Sequence, residues 1–104
     1  MLLGNLFTLH LAGLVHNDIK PLNIVYSRDL GKWVFIDFGV SCCPKEQIGQ
    51  ESEISLRGTF EYIGPQMRQL GPNQRGKVDL FHNDLVGLQK SVEKMLNSHT
   101  IVLS

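Results

Sequence analysis

An α+β fold is the class that this 104-residue sequence predicts, and three observations support it. Apolar residues recur at helical spacing near the start of the chain and again near its end. Between these segments lie two runs rich in β-branched and aromatic residues, separated by a short polar turn. We therefore expect one mainly helical domain with a short β-hairpin, because a chain of this length supports a single modest core.

The first helix is predicted over residues 2–12. Gly13 follows it and suits the left-handed conformation that ends many helices. Because polar residues interrupt this stretch well short of the roughly 18 apolar residues that a membrane helix needs, we predict a buried core helix and no membrane interaction. Its apolar face comprises Leu2, Leu3, Leu6, Phe7, Leu9 and Leu11.

The β-hairpin is predicted from residues 23–26 and 32–38, which flank the polar segment 27–31. Asp37 lies at the exit of the second strand. Gly39 follows closely and allows a backbone conformation that a β-carbon would resist. We expect the Asp37 carboxylate to face a cleft.

The second half of the chain begins without periodicity. Residues 41–69 are predicted to be a long irregular segment, of a kind that is usually functional or mobile. A second irregular piece, 70–76, leads into a helix predicted over residues 79–97. The last residues, 99–104, are short and apolar and fit no element. The predicted helix carries an apolar stripe that should face the core, formed by Leu85, Leu88, Val92 and Leu96.

The overall charge is balanced, since ten basic and ten acidic residues cancel. No strong field therefore favours nucleic acid or an anionic membrane as a partner. The two cysteines, Cys42 and Cys43, are adjacent and unsuited to bridging each other, so they give no disulfide framework and too few ligands for a zinc site. We expect a protein of a reducing compartment, cytoplasmic or nuclear.

Four polar side chains carry the candidate chemistry. Asp18, Lys20 and Asn23 lie within one short segment, and the hairpin delivers Asp37 after it. An amide oxygen and a carboxylate are hard ligands of the kind that magnesium prefers, which favours Asn23 and Asp37 as its ligands. A carboxylate such as Asp18 can accept the proton of an attacking hydroxyl, and the ammonium of Lys20 can offset the negative charge of a phosphate.

Residues 16–23, HNDIKPLN, resemble the catalytic loop of the eukaryotic protein kinase family, and Asp37-Phe38-Gly39 resembles that family's metal-binding motif. The resemblance implies ATP and Mg²⁺ as cofactors and a protein as substrate. It also implies a role for each matching residue: Asp18 as catalytic base, Lys20 as the γ-phosphate contact, Asn23 and Asp37 as magnesium ligands, and His16, Phe38 and Gly39 as structural support.

A further match lies in residues 58–62, GTFEY, followed by Gly64-Pro65-Gln66, which together resemble the end of the family's activation segment. By this resemblance Gly58 and Thr59 lie where the peptide substrate docks. The Lys20-Pro21 and Gly58-Thr59 pairs are similar to serine/threonine rather than tyrosine kinases.

The chain departs from the family pattern at two matched positions. Asn17 stands where most members carry an arginine that pairs with a phosphorylated activation segment. Control by phosphorylation is therefore not expected, although Ser52 and Ser55 are candidate acceptors. Gln66 replaces the usual glutamate.

The family's catalytic loop is anchored by an aspartate at the start of a structural helix, and this chain offers two candidates. Asp84 fits the apolar pattern better, whereas Asp79 fits the usual distance from Gly58. We prefer Asp84 narrowly, and the choice stays open at this point.

The resemblance covers nearly the whole chain but only the central part of a kinase C-lobe. The sequence contains no glycine-rich loop and no strand lysine for the α- and β-phosphates. We expect residues 1–104 to form a single incomplete protein-kinase-like domain, a serine/threonine kinase by resemblance, that is inactive in isolation and binds ATP poorly. The alternative is a non-catalytic interaction module, a pseudokinase or truncated product, that binds a kinase-like partner. Lys20 and residues 58–62 argue against a small-molecule phosphotransferase.

Overall fold

Three α-helices and two small antiparallel sheets make up the chain in a computed structural model, which describes the backbone of residues 1–103 and the side chains of residues 1–97. The α+β class is therefore as the sequence predicts. The elements in chain order are α1 (Leu2–Leu11), β1 (Ile24–Ser27), β2 (Lys32–Phe35), β3 (Ser52–Ser55), α2 (Pro65–Arg68), β4 (Arg75–Val78) and α3 (Leu80–Leu103).

Helix α1 ends within one residue of its predicted boundary. Gly13 follows with a φ of +86°, a left-handed conformation in which a glycine is unstrained. The expectation of a buried core helix holds for one side only: Leu6 and His10 are buried, while Phe7 and Leu11 remain 47% and 82% exposed. One side of α1 packs against the hairpin and α3, and its other side faces outwards.

The predicted hairpin is present, with β1 and β2 paired so that Ile24 lies opposite Phe35. The pairing continues one step past the strands, since the Ile36 N–H donates to the Asn23 carbonyl at 2.9 Å. Strand β2 ends earlier than the predicted residue 38. The reason lies at Asp37, whose φ of +60° is incompatible with a continuing strand.

A second sheet was not predicted from the sequence. Strand β3 pairs with β4 in the register Ser52 to Val78, inside regions expected to be irregular. Only Ser52, Ile54 and Val78 of these two strands are buried. The alternation of apolar and polar residues in these strands is too short to be recognised in the sequence. The strands are instead stabilised by pairing between residues 20 or more positions apart. Because Ser52 is buried, it is a poor candidate for phosphorylation in this conformation.

Helix α3 begins one residue later than predicted. The Asp79 Oδ1 atom accepts the His82 N–H at 3.1 Å and so caps its first turn. The predicted apolar stripe packs inwards only in its first half: Leu88 is buried and Leu85 half-buried, whereas Val92 and Leu96 are exposed. The unassigned stretch 99–104 lies outside the residues whose side chains are described.

Two apolar clusters hold these elements together, and the loop 16–23 runs between them. One cluster joins the start of α3 to the β3–β4 sheet, and the other joins α1 to the hairpin and the middle of α3. No helix in the described part of the chain has the length and apolar character needed to cross a bilayer. The first cluster comprises Val15, Ile54, Ile63, Met67, Val78, Leu80 and Phe81, and the second Leu6, Ile19, Ile24, Phe35 and Leu88.

Candidate active site

The loop of residues 16–23 is anchored to α3 by one buried carboxylate. Asp84 accepts the backbone N–H of His16 at 2.8 Å and that of Asn17 at 2.9 Å, and the His10 Nε2 atom lies 3.0 Å from the same carboxylate. Asp84 is 1% exposed and therefore loses its hydration on folding. The three hydrogen bonds to its carboxylate take the place of those lost water molecules. Asp79 contacts its own helix instead, which leaves Asp84 as the acid that holds the loop.

His16 connects this loop to the segment that precedes Asp37. Its Nδ1 atom accepts the Asp18 N–H at 3.1 Å, and its Nε2–H donates to the Ile36 carbonyl at 2.7 Å. These partners fix the ring tautomer, because a backbone N–H can only donate and a carbonyl can only accept. The ring also packs against Phe38, with centroids 4.8 Å apart. With both nitrogens engaged, His16 holds the backbone and is not free to act as a base.

Asp18, Thr59 and Lys20 form a hydrogen-bonded chain. The Thr59 hydroxyl donates to Asp18 Oδ1 at 2.9 Å and accepts from Lys20 Nζ at 3.0 Å. The Lys20 ammonium lies 3.9 Å from Asp18 Oδ2, and the two side chains are 25% and 18% exposed. The carboxylate and the ammonium are thus held side by side while both still reach solvent.

The same loop orients the side chain of Asn23. Its Nδ2–H donates to the Asp18 carbonyl at 2.9 Å, which fixes the orientation of the carboxamide. Asn23 is 5% exposed, and no hydrogen bond to its Oδ1 comes from the described side chains or backbone. A hard oxygen acceptor is therefore left over just before the start of β1.

Asp37 is exposed and lightly held. Its Oδ1 accepts the Gly39 N–H at 3.3 Å, a local contact within its own turn. Since Ile36 pairs with Asn23, Asp37 follows directly after the residue that faces Asn23 across the hairpin. An amide oxygen and a carboxylate brought to one hairpin end suit Mg²⁺, which takes a few protein oxygens and fills its octahedron with water and phosphate.

Residues 1–97 contain no group of three or more His, Cys, Asp or Glu side chains gathered as a cation site. A magnesium ion at Asn23 and Asp37 would therefore depend on oxygens from phosphate and water as well.

Gly58 allows Thr59 to approach Asp18. Its φ is +92°, and a β-carbon there would lie 2.7 Å from the Asn17 carbonyl oxygen and 2.8 Å from the Ile63 Cγ2 atom. Both contacts are closer than real β-carbons make, so only glycine fits. Residues 58 and 59, which the sequence suggests as a docking segment, thus lie directly against residues of the 16–23 loop.

Two contributors were missed by sequence reasoning. His10, taken as part of an ordinary core helix, contacts Asp84, and the available signal was a histidine on an otherwise apolar helical face. The Asn17 side chain, noted only as a departure from a pattern, is buried and donates from Nδ2 to the Val40 carbonyl at 3.0 Å. No local signal reveals that contact, because its partner lies 23 residues further along the chain.

No protein-family model matches the chain. Several curated proteins nevertheless match part of the chain. The dual specificity protein kinase zak2 of Dictyostelium discoideum is 36% identical over 67 residues, which are 60% of this chain and 10% of that protein. The serine/threonine-protein kinase Pkn1 of Myxococcus xanthus is 32% identical over 83 residues, 77% of this chain and 12% of the relative.

A third relative, the serine/threonine-protein kinase BCK1/SLK1/SSP31 of Saccharomyces cerevisiae, is 33% identical over 79 residues, 76% of this chain and 5% of its own length. The matches to these three relatives span only between 5% and 12% of the relatives' own lengths.

Proposed function

This chain resembles the C-lobe of serine/threonine protein kinases, and we propose that it carries the catalytic loop for phosphoryl transfer from ATP to a serine or threonine hydroxyl of a protein. One observation carries the proposal: the Thr59 hydroxyl links the Asp18 carboxylate to the Lys20 ammonium at 2.9 and 3.0 Å. Phosphoryl transfer depends on a proton acceptor and a positive charge positioned next to each other.

In the proposed reaction the substrate hydroxyl oxygen forms a bond to the γ-phosphorus of ATP, and the bond from that phosphorus to the oxygen of the ADP leaving group breaks. Asp18 receives the hydroxyl proton. Lys20 lies beside Asp18 and offsets negative charge on the transferred group. Asn23 and Asp37 would hold Mg²⁺, which when bound neutralises charge on the phosphate oxygens.

Thr59 has a positioning role in this scheme. It donates to one oxygen of Asp18, while the other, Oδ2, lies 3.9 Å from Lys20 Nζ and accepts from Asn23 Nδ2 at 3.5 Å. The incoming hydroxyl can therefore approach a carboxylate whose rotamer is already set. Asn23 supports the same geometry from the opposite side by bonding the Asp18 carbonyl.

The test uses the full-length gene product that contains these residues, with ATP, Mg²⁺ and dephosphorylated casein as probes. We expect transfer to serine and threonine, and a loss of about 10²- to 10⁴-fold for Asp18→Asn, the range of a general base, with nucleotide binding retained. Thr59→Ser should keep most of the rate and Thr59→Val should not. Full turnover by Asp18→Asn would remove Asp18 from the role of base, and absence of transfer by the wild type would overturn the enzyme proposal.

A second candidate is a non-catalytic module that binds a kinase-like partner, and one specific observation favours it. An apolar groove of about 410 Å³ lies between α1 and the start of α3, lined by residues that include Phe7, Leu11, Ile48 and Phe81. Association through this groove should weaken in Leu11→Asp and persist in Asp18→Asn. Sedimentation of each variant mixed with an intact serine/threonine kinase as the probe distinguishes the two, and equal behaviour would argue against this candidate.

A further inference from the structure

We propose that the Asn17 carboxamide is an uncharged clasp that holds residues 40–42, the junction segment, onto the catalytic loop. Asn17 is 1% exposed, and its Nδ2 atom donates to the Val40 carbonyl at 3.0 Å and lies 3.4 Å from the Cys42 sulfur. The junction segment follows Asp37 to Gly39 along the chain. The clasp therefore sets where that segment leaves the site, whether or not the protein transfers phosphate.

The backbone of Asn17 indicates that its amide is needed. Its φ is +71°, a left-handed conformation that glycine adopts without strain and that asparagine tolerates better than most residues. Its Oδ1 atom is buried and has no hydrogen-bond partner. Glycine would avoid both penalties, so the position is best explained by what the Nδ2 donor contributes.

Asn17 also joins the junction segment to the rest of the fold. Its own N–H is held by Asp84 of α3, and Gly58 packs on its carbonyl oxygen. Next to the clasp, the N–H of Val15 donates to the Cys42 carbonyl at 2.9 Å, and the N–H of Cys42 donates to the Val15 carbonyl at 3.1 Å. The hydrogen bond from Asn17 to Val40 thus lies beside the two backbone hydrogen bonds between Val15 and Cys42, and all three join the junction segment to the start of the catalytic loop.

A clasp between neutral groups has a distinctive consequence. A buried hydrogen bond from an amide to a carbonyl is hardly screened by salt, whereas an ion pair between an arginine and a phosphate would be. The junction segment should therefore be ordered in unphosphorylated protein and at any ionic strength.

Hydrogen exchange of the Val15 and Cys42 amides tests the clasp in the purified, unphosphorylated chain. We expect both to be protected as well as the amides of the β3–β4 sheet, and equally at low and high sodium chloride. Unprotected amides, or protection lost at high salt, would overturn the proposal. This comparison needs no variant.

Two substitutions separate the amide from the backbone conformation. Asn17→Asp keeps the shape but removes the donor, and Asn17→Gly keeps the left-handed backbone but removes the side chain. Asn17→Gly should speed exchange at Val15 and Cys42 by about tenfold, the scale of one lost hydrogen bond, with the β3–β4 sheet unchanged. Asn17→Asp should speed exchange there by at least as much, because its buried carboxylate faces the Val40 carbonyl. Ser91→Ala is the matched control, since it removes a buried 2.7 Å hydrogen bond to the Gly87 carbonyl within α3. Equal acceleration in the control, or none in the two Asn17 variants, would refute the clasp.

Discussion

The two acids of the candidate site, Asp18 and Asp37, are held in very different ways. Asp18 accepts the Thr59 hydroxyl, lies beside Lys20, and has its backbone bonded by both His16 and Asn23. Asp37 is exposed, and among residues 1–97 its carboxylate makes one hydrogen bond, accepted from the N–H two residues away.

The contrast follows from how each acid is connected. Asp18 lies in a loop tied to α3 through Asp84 and covered by Thr59, so three distant parts of the chain meet there. Asp37 lies past the end of β2 with a φ of +60°, where the ladder has stopped. The fold thus fixes Asp18, the proposed base, before anything binds, while Asp37, the proposed metal ligand, keeps freedom that a bound cation and phosphate would remove.

The anchor beneath Asp18 should show the largest effect. Asp84→Ala leaves two buried backbone N–H groups and His10 without an acceptor, and we expect a loss of about 3–5 kcal/mol in the free energy of unfolding. Asp79→Ala, which removes only a helix cap, should lose about 1 kcal/mol. Urea denaturation followed by circular dichroism measures both. Equal losses in the two variants would mean that the buried anchor is not special.

Gly58 tests the close approach that puts Thr59 on Asp18. Gly58→Ala should lose about 1–3 kcal/mol, because it adds a clash with the Asn17 carbonyl to a left-handed backbone. Gly49→Ala is a matched control, since its φ of +90° is nearly the same and open space surrounds its position for the new β-carbon. Thermal melts of the two variants should therefore differ. Matching melts would show that the backbone, and not the contact, sets the requirement.

Thr59 tests the hydroxyl link itself. Thr59→Val keeps the shape but leaves Asp18 and Lys20 without their shared partner, and we expect a loss of about 1 kcal/mol in unfolding free energy. Thr59→Ser keeps the hydroxyl and should lose less. The difference between the two, read from denaturant midpoints, isolates the hydrogen bonds. A valine variant as stable as the serine variant would contradict the link.

Asp37 should show the smallest effect on stability. Asp37→Asn keeps the tolerance for a left-handed backbone and changes an exposed side chain, so the free energy of unfolding should stay within about 0.5 kcal/mol of the wild type. Denaturant unfolding at low and high Mg²⁺ provides the measurement. A large loss would place Asp37 with Asp18 among the firmly held residues and remove the contrast between them.

Sequence reasoning works well where the signal is local. Helix α1 and the β1–β2 hairpin follow from periodicity, a glycine after the helix and a polar turn, all within a few residues of each other. The candidate acids, amide and lysine are also recognisable, because the spacing within one loop is readable from the sequence. Their roles in catalysis remain predictions.

What the sequence does not reveal depends on distant pairing. Strands β3 and β4 are mostly polar and become a sheet only because residues 20 or more positions apart meet. The apolar pattern favours Asp84 over Asp79 only narrowly, since both lie on or beside one helix, and three-dimensional contact is what separates them. The contact of Thr59 with Asp18 spans 41 positions and has no local signature.

The hairpin that joins Asn23 to Asp37 also offers an engineering site. Its tip is closed by the Gly31 N–H, which donates to the Ser27 carbonyl at 2.8 Å, and residues 28–33 are exposed. Extra residues inserted there lengthen the chain between the two oxygen donors without moving either, whereas a single insertion inside β1 or β2 reverses every side chain beyond it. The tip lies at the opposite end of the hairpin from Asn23 and Asp37, so it can host an epitope or a fluorophore-bearing peptide while leaving the geometry of the candidate site intact.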